Sequence, residues 1–309
     1  MQVFRHWTGL EAGAKGASVA LGNFDGVHCG HQRVIELARR PDAPLGIVTF
    51  EPHPREFFAP ATPPFRLMNA EARANRLARM GVTRLYELPF DARLANLTDR
   101  EFAQGVLAEG LGVAHVVVGA DFCFGRGRQG TAEGLARLGA ELGFEVTIAA
   151  LLGEGAQVVS STAIRGALSD GAPREAARML GHWHRIEGEV LHGAKRGRDL
   201  GYPTANMSIA GLHPPRFGVY AVQVDVLGGP HQGRHGGVAS LGVRPMFGEN
   251  LPNIETYLFD FTGDLYGAHL SVALIEHLRD EMRFDSLPAL IAQMDADSAQ
   301  ARAILKALG

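Results

Sequence analysis

Cysteine is nearly missing: Cys29 and Cys123 are the only two in 309 residues, too few for a disulfide framework or a Cys-rich zinc site. A reducing cytoplasm suits such a chain. No apolar run nears the roughly 18 residues that cross a bilayer, and the first residues lack a basic segment followed by an apolar core, so neither a membrane span nor a secretion signal is expected. Excess charge is missing too, with 30 Lys+Arg against 33 Asp+Glu and a net charge of -3. No basic block stands out, so duplex nucleic acid, which needs a basic face, is not an expected partner. What is present is globular: 46% hydrophobic and 20% charged residues. At about 150 residues per domain, the length suggests two domains.

From Ala17 to about Leu180, short apolar runs alternate with helical patterns: ASVAL, HQRVIELARR, GIVTF, NAEARANRLARM, RLYEL, HVVVGA, TAEGLARLGAELG and EVTIAALL. Strands this continuously apolar belong to a parallel sheet covered on both faces, and βαβ alternation builds one. The segment TDREFAQGVLAEG opens with Thr98 and carries Glu101 three residues on, a capping box for the free amides of a first turn. After Gly181 the helical period gives way to β-rich segments between Gly and Pro: RIEGEVL, GVYAVQVDVL, GGVASLGV, IETYLFDF and LSVALIEHL. These predict an antiparallel barrel or sandwich, with TGD as a hairpin turn between the last two segments. A helix is expected from Ser286 to Leu308, with Pro288 tolerated in its first turn. The expected domains are 1–181 and 182–309.

The stretch ALGNFDGVHCGHQRVI puts a Gly-rich loop between the first strand and the first helix. Helix-terminal amides and the dipole stabilise phosphate there, and Gly22, Gly26 and Gly30 let the backbone approach closely. His28 and His31, three apart at a helix start, lie on one face and can donate hydrogen bonds to oxygens around one phosphorus. Read alone, such a pair is more often an N-terminal cap and a surface residue; a zinc site of His28, Cys29 and His31 is the weaker reading, since they crowd one turn without a distant ligand pair. Cys29 between them is expected to be reactive, because the dipole and an imidazolium favour thiolate. Ser160, Ser161 and Thr162 followed by Arg165 set hydroxyls and a guanidinium at another helix start, suited to a polyphosphate and also to a plain N-cap. Phe122, Phe124 and His53 either pack against planar rings or belong to the core.

GNFDGVHCGH, TFEPHP from Thr49 to Pro54, VVGADFCFGRGRQG from Val117 to Gly130 and VVSSTAIRGAL from Val158 to Leu168 come in the order found in bacterial FAD synthetases. The first of them resembles the HxGH nucleotidyltransferase superfamily. The resemblance implies that His28, His31 and Arg165 stabilise charge at the α-phosphorus of ATP. It further implies that Gly22, Phe24, Gly30, Ser160, Ser161 and Thr162 bind ATP, and that Asp121, Phe122 and Phe124 bind flavin.

Pro203 to Asn206 reads as an ordinary turn whose Thr and Asn bond nearby backbone, or as a pair of hard oxygens that suits Mg²⁺. Glu255 in NIETYLFDF shares a strand face with Tyr257 and Phe259, where a carboxylate needs a reason. Such a carboxylate is a candidate general base. The surrounding GEVLHGAKRGRDLGYPTANM resembles the PTAN signature of riboflavin kinases. That resemblance implies Thr204 and Asn206 as Mg²⁺ ligands, Gly193, Lys195, Gly197 and Gly201 in the loop over the ATP phosphates, and Glu255 as catalytic base. LRDEMRFDSLPALIAQMDAD resembles the family's closing segment, expected to cover the flavin with Arg279 and Glu281. The chain departs from the family at SLGVRPMF, where Asn-Ile-Gly and then Pro-Thr-Phe are usual, so that Met246 replaces a polar residue.

The fold implied is α/β plus β: an N-terminal Rossmann-like HxGH nucleotidyltransferase domain followed by a six-stranded antiparallel flavokinase barrel with a C-terminal helix. The function implied is that of a bifunctional bacterial riboflavin kinase and FAD synthetase. Riboflavin, FMN, FAD and ATP are its expected partners, Mg²⁺ its cofactor and the cytoplasm its location, with no nucleic acid and no membrane; a homo-oligomer is left open. Thr204, Asn206 and Glu255 together argue against a single-activity adenylyltransferase with the barrel as a binding appendage.

Overall fold

The apolar runs of the first half assemble into a sheet that is parallel throughout. The computed structural model describes residues 1–150, 159–192, 201–246 and 249–308. Packing divides the chain into two units, Met1–Thr62 with Arg73–Val159, and Pro63–Ala72 with Ser160–Gly309. Residues 160–181, which the sequence assigned to the first domain, therefore group with the second unit.

In the first unit, β1 (Gln2–Phe4), β2 (Ser18–Leu21), β3 (Leu45–Glu51), β4 (Arg84–Pro89), β5 (His115–Gly119) and the later Glu145–Ala149 strand, β8, form a six-stranded sheet. Its order is β1-β4-β3-β2-β5-β8. The intervening helices are α1 (Cys29–Leu37), α2 (Pro54–Phe58), α3 (Ala70–Arg79), α4 (Ala92–Ala95), α5 (Asp99–Glu101) and α6 (Ala132–Leu142). α3 crosses from one unit into the other at Arg73. The strand order turns back between β2 and β5, and in open α/β sheets the crevice at the carboxyl ends of such strands is where ligands bind. The loop carrying His28 leaves β2 at that end.

Thr98 and Glu101 form the expected capping box, Thr98 Oγ1 accepting from Glu101 N at 3.2 Å and Glu101 Oε2 accepting from Thr98 N at 2.8 Å. Beyond it, Phe102–Leu111 winds with π-helical i→i+5 bonding rather than as a continued α-helix. Phe102, Val106, Leu107 and Leu111 go into one core with Val19, Leu21, Val48, Phe50, Val116 and Val118. Each such Val, Leu or Phe side chain contributes about 1.5–3 kcal/mol by leaving water. The sequence reading missed a small ribbon, β6 (Cys123–Phe124) against β7 (Gly130–Thr131). Its tight turn is permitted by left-handed Gly125 and Gly127.

In the second unit, α7 (Ser161–Ser169) and α8 (Pro173–Leu180) precede β9 (Arg185–Glu189), β10 (Thr204–Ser208), β11 (Gly218–Val226), β12 (Gly233–Met246), β13 (Glu249–Leu258) and β14 (His269–Arg279). The antiparallel order is β10-β13-β12-β11-β14-β9, and Leu191 N donates to Asn206 O at 2.8 Å, so the sheet nearly closes on itself. Ile186, Met207, Tyr220, Val222, Leu241, Ile254 and Val272 fill its inside. The helix α9 (Leu287–Lys306), capped by Ser286, lies over β11 and β12. Gly236 makes room for it, since a Cβ there would stand 2.9 Å from Leu305 Cδ1.

One expectation is corrected. TGD does not turn a hairpin, because β13 pairs with β10 and β12 while β14 pairs with β11 and β9. Alternation within a segment shows that it is a strand and which face it buries; it carries nothing about which strand lies beside it.

Candidate active sites

Between β2 and α1 the backbone is strained in a way that shapes the first site. Phe24 (φ 53°), Gly26 (φ 83°) and Val27 (φ 44°) are all left-handed. For β-branched Val27 this conformation is an outlier of the kind that persists where the surroundings over-determine it, usually at functional sites. Phe24, Asp25 and Val27 are buried. The turn delivers His28 as the N-cap of α1, its Nδ1 accepting from His31 N at 3.3 Å, which puts the ring proton on Nε2.

The rings of His28 and His31 stack at 3.6 Å between centroids with 15° between planes. Gly30 allows this, because a Cβ there would press on His28 Cε1 at 3.1 Å. A Cβ on Gly22 would meet the Phe24 ring at 3.5 Å, an ordinary contact. Burial pushes the His28 imidazole down to about 4, and burial together with neighbouring His28 holds His31 well below its ordinary value. Both rings are therefore neutral near pH 7 in the free protein, so the imidazolium expected beside Cys29 is not there. Cys29 is half-buried as the first residue of α1, and Cys123 is exposed. His31 Nδ1 is shielded from water without a hydrogen-bond partner, an orphan that a ligand oxygen would satisfy.

Other motifs of the first unit lie around its sheet. Thr49 on β3 donates to Asn23 O at 3.1 Å. His53 caps α2, accepting from Arg55 N at 3.0 Å, with Glu56 returning the bond to His53 N at 2.9 Å. Phe124 is buried in the core, and half-buried Phe122 stacks on it at 5.7 Å. Asp121 is exposed. In the second unit, Ser160 caps α7 through Ala163 N at 3.2 Å, Ser161 and Thr162 form its first turn, and Arg165 donates from Nε to Phe65 O at 2.6 Å.

The second site lies on the barrel and is set by register. Asn206 on β10 is directly opposite Glu255 on β13, and Glu255 is directly opposite Ser240 on β12. Side chains paired this way project to one face, so an amide, a carboxylate and a hydroxyl form a row across three strands spaced by about 4.8 Å. Thr204 begins β10, and Asn206 Nδ2 points back to Thr204 O at 3.3 Å and Oγ1 at 3.5 Å, which makes Oδ1 the outward hard-oxygen end of the amide. Asn206 is buried, whereas Thr204 and Glu255 are half-buried. Thr204 to Asn206 are therefore strand residues and not the turn the sequence allowed; just before them, Gly201 is left-handed (φ 80°) and the Tyr202 hydroxyl bonds Asp295 of α9. Desolvation, reinforced by Asp295, pushes the Tyr202 phenol up to about 12.

Arg279 at the end of β14 pairs with buried Asp297 of α9, Nη2 reaching Oδ2 at 2.8 Å, and lies over the Phe284 ring at 5.7 Å. Glu281 is exposed, and its carboxylate occupies the space a Cβ on Gly242 would take. Gly193, Lys195 and Gly197 fall outside the described residues, as do Val158 and Phe247. Sequence reasoning passed over Ser240 as a site residue and Arg73 altogether. The signal for Ser240 was its place in the same alternating strand pattern; for Arg73 the sequence held no signal.

Comparison with known proteins yields two family models, FAD synthetase over residues 10–163 and riboflavin kinase over residues 180–305. A bifunctional riboflavin kinase/FMN adenylyltransferase of Pseudomonas fluorescens is 42% identical, over 98% of this chain and 98% of its own length. The protein of that name from Escherichia coli K12 is 39% identical over 94% of each. A crystal structure from Streptococcus pneumoniae, described as a macrolide-efflux protein, superposes with a TM-score of 0.81 and 32% identity over 97% of this chain and 98% of that one. Among the described residues no helix is long and apolar enough to cross a membrane. With both models matched in order, and whole-length relatives at this identity, the chain belongs to the bifunctional riboflavin kinase/FMN adenylyltransferase family.

Proposed function

We infer that the chain phosphorylates riboflavin to FMN on its barrel and adenylylates FMN to FAD on its parallel sheet, using one ATP in each reaction. What supports this reading is two separate polar constellations on two unrelated folds, each proposed to handle phosphate. One is the stacked His28–His31 pair with its orphan ring nitrogen. The other is the Asn206–Glu255–Ser240 row. Incubating the pure protein with riboflavin, ATP and Mg²⁺, and following both products by chromatography, tests it; FMN without FAD, or neither, would refute it.

In the kinase step, Glu255 accepts the proton of the riboflavin 5'-hydroxyl as that oxygen attacks the γ-phosphorus and ADP leaves. The donor set of Thr204 Oγ1 and Asn206 Oδ1, hard oxygens without a carboxylate, fits an Mg²⁺ ion that takes its remaining ligands from phosphate and water. Bound there with ATP, such an ion would supply charge neutralisation at the phosphates. The Tyr202–Asp295 bond ties the residues just before β10, the strand that carries both oxygens, to α9. Gly201 and the loop before it, with Gly193, Lys195 and Gly197, are assigned to the ATP phosphates, and Arg279 and Glu281 to the flavin side. Arg279, already spanned by Asp297, serves there by fixing the segment after β14.

In the adenylylation step, an FMN phosphate oxygen attacks the α-phosphorus of ATP and the bond to the β-phosphate breaks, with pyrophosphate leaving on its own electron pair. His28 donates from Nε2, and His31 and the first amides of α1 add donors where negative charge grows. A neutral imidazole suffices as donor, and an arriving triphosphate raises both imidazole pKa values toward their ordinary range. The Ser160–Thr162 turn and Arg165 are proposed as further ATP phosphate donors; the FAD synthetase match runs to residue 163 and takes in those three hydroxyls. Phe122, backed by core residue Phe124, is proposed as the ring facing the flavin, beside Asp121. We place the functional division near Gly181, in line with a riboflavin kinase match that starts at residue 180, and the location in the cytoplasm, in line with a chain that has only two cysteines.

A further inference from the structure

One fully buried cation is used by no step above. Arg73 on α3 is 0% exposed, and its Nη2 donates to Glu51 Oε2 and to Glu87 Oε2, each at 2.9 Å. Glu87 is itself buried and accepts from Arg5 Nε on its other oxygen at 3.2 Å. Thr49 and Glu87 are register partners on β3 and β4, and Glu51 follows Thr49 by two, so Thr49, Glu51 and Glu87 share one face near the carboxyl ends of those strands. Arg73 is thus clamped to the rim beside which the His28 loop departs.

The same guanidinium reaches that loop, with Nη1 3.5 Å from Asn23 O, the carbonyl that also accepts Thr49 Oγ1 at 3.1 Å. Asn23 immediately precedes left-handed Phe24, the first of the three left-handed residues that swing the chain round to His28. A carbonyl held from two sides cannot rotate, so the peptide plane that starts the turn is set by β3 and by Arg73. Charge enters as well. Glu51 and Glu87 would otherwise repel a triphosphate brought to this loop, and burying one unpaired carboxylate is costly in itself.

We propose that Arg73 is a positioning residue for adenylyl transfer, fixing the Asn23 carbonyl and through it the turn that aims His28 and His31, while cancelling the Glu51–Glu87 charge beside the phosphate loop. This rests on the reading of that loop as the adenylylation site, and wild-type FAD formation from FMN and ATP tests that reading separately.

The test uses the full chain in three forms: Arg73→Met, Arg73→Lys, and Arg73→Met with Glu87→Gln. Arg73→Met is expected to lower kcat for FMN adenylylation by about 10- to 100-fold, the scale of a small misplacement of reacting groups, and to raise KM for ATP. Riboflavin phosphorylation stays at the wild-type rate. Lys keeps the charge without the planar fork, so KM for ATP recovers in Arg73→Lys while kcat stays low. The double variant removes the buried Glu87 charge, which without Arg73 would keep only exposed Arg5 as its partner, and so restores the melting temperature; the α3 side then no longer holds Asn23, and kcat again stays low. Full recovery of kcat in the folded double variant, or wild-type kcat in Arg73→Lys, would reduce Arg73 to a structural counter-ion and overturn the proposal.

Discussion

Replacing His28 by Asn separates the two roles that this side chain combines. As an N-cap it accepts from His31 N at 3.3 Å. Losing a cap altogether, as in His28→Ala, costs about 1 kcal/mol, whereas Asn is itself among the best N-caps and holds the helix start to within a few tenths of a kcal/mol. What Asn does not reproduce is the Nε2 proton on the far side of a ring stacked 3.6 Å from His31. Removal of one donor aimed at developing charge lowers kcat by about 10²- to 10³-fold, roughly 3–4 kcal/mol of barrier. The expected result is therefore an unchanged melting temperature, unchanged riboflavin phosphorylation and FAD formation down by at least about 100-fold. Single-turnover adenylylation of FMN at saturating ATP measures the chemical step, with FMN formation from riboflavin in the same preparation as the internal control. Burial also holds His28 down to about 4, so the wild-type kcat/KM profile should show no His28 ionisation between about pH 6 and 8. A folded His28→Asn protein that makes FAD at the wild-type rate would leave His28 a helix cap and nothing more.

Glu255→Gln keeps the size of the side chain opposite Asn206 and Ser240 and removes its basicity, so riboflavin phosphorylation should fall by about 100-fold or more while added FMN is still converted to FAD; an unchanged kinase rate would remove Glu255 from the mechanism. Buried His184 donates from Nε2 to Leu67 O at 3.0 Å, and burial pushes it down to about 4. The unfolded imidazole, near its ordinary value, binds its proton first as pH falls, so the stability present above about pH 6.5 is lost toward pH 4, to a total of about 3 kcal/mol. Denaturant unfolding followed through Trp183 in a Trp7→Phe background should show this slope, and His184→Asn should flatten it; equal slopes would refute it. Finally, Ala176, Met179 and Leu180 of α8 are buried, and that helix packs on β14. A fragment 160–309 should then melt well above a fragment 182–309, since each of Met179 and Leu180 contributes about 1.5–3 kcal/mol; equal melting temperatures would mean that α8 adds nothing to the barrel.

Much of this protein is determined locally and was legible as sequence. Unbroken apolar runs such as HVVVGA announce strands covered on both faces, and Thr98 with Glu101, or Ser286 before Pro288, mark helix starts because caps act over three residues. The loop GNFDGVHCGH is likewise local: its glycines, its turn and its two imidazoles lie within ten positions. Neighbours across the sheet are another matter. Nothing in IETYLFDF or LSVALIEHL said that their strands do not pair, and nothing in the chain order placed Ser240 beside Glu255. Protonation was equally out of reach, since burial, joined for His31 by the neighbouring charge of His28, and not residue type makes the two imidazoles neutral. Arg73 is the sharpest case. In NAEARANRLARM it reads as one arginine among several on a polar helix, and only folding brings it to Glu51, Glu87 and the Asn23 carbonyl. Periodicity, capping and turns are interactions along the chain, so sequence alone decides them; register, burial and charge pairing are interactions across it, and these only the tertiary structure decides.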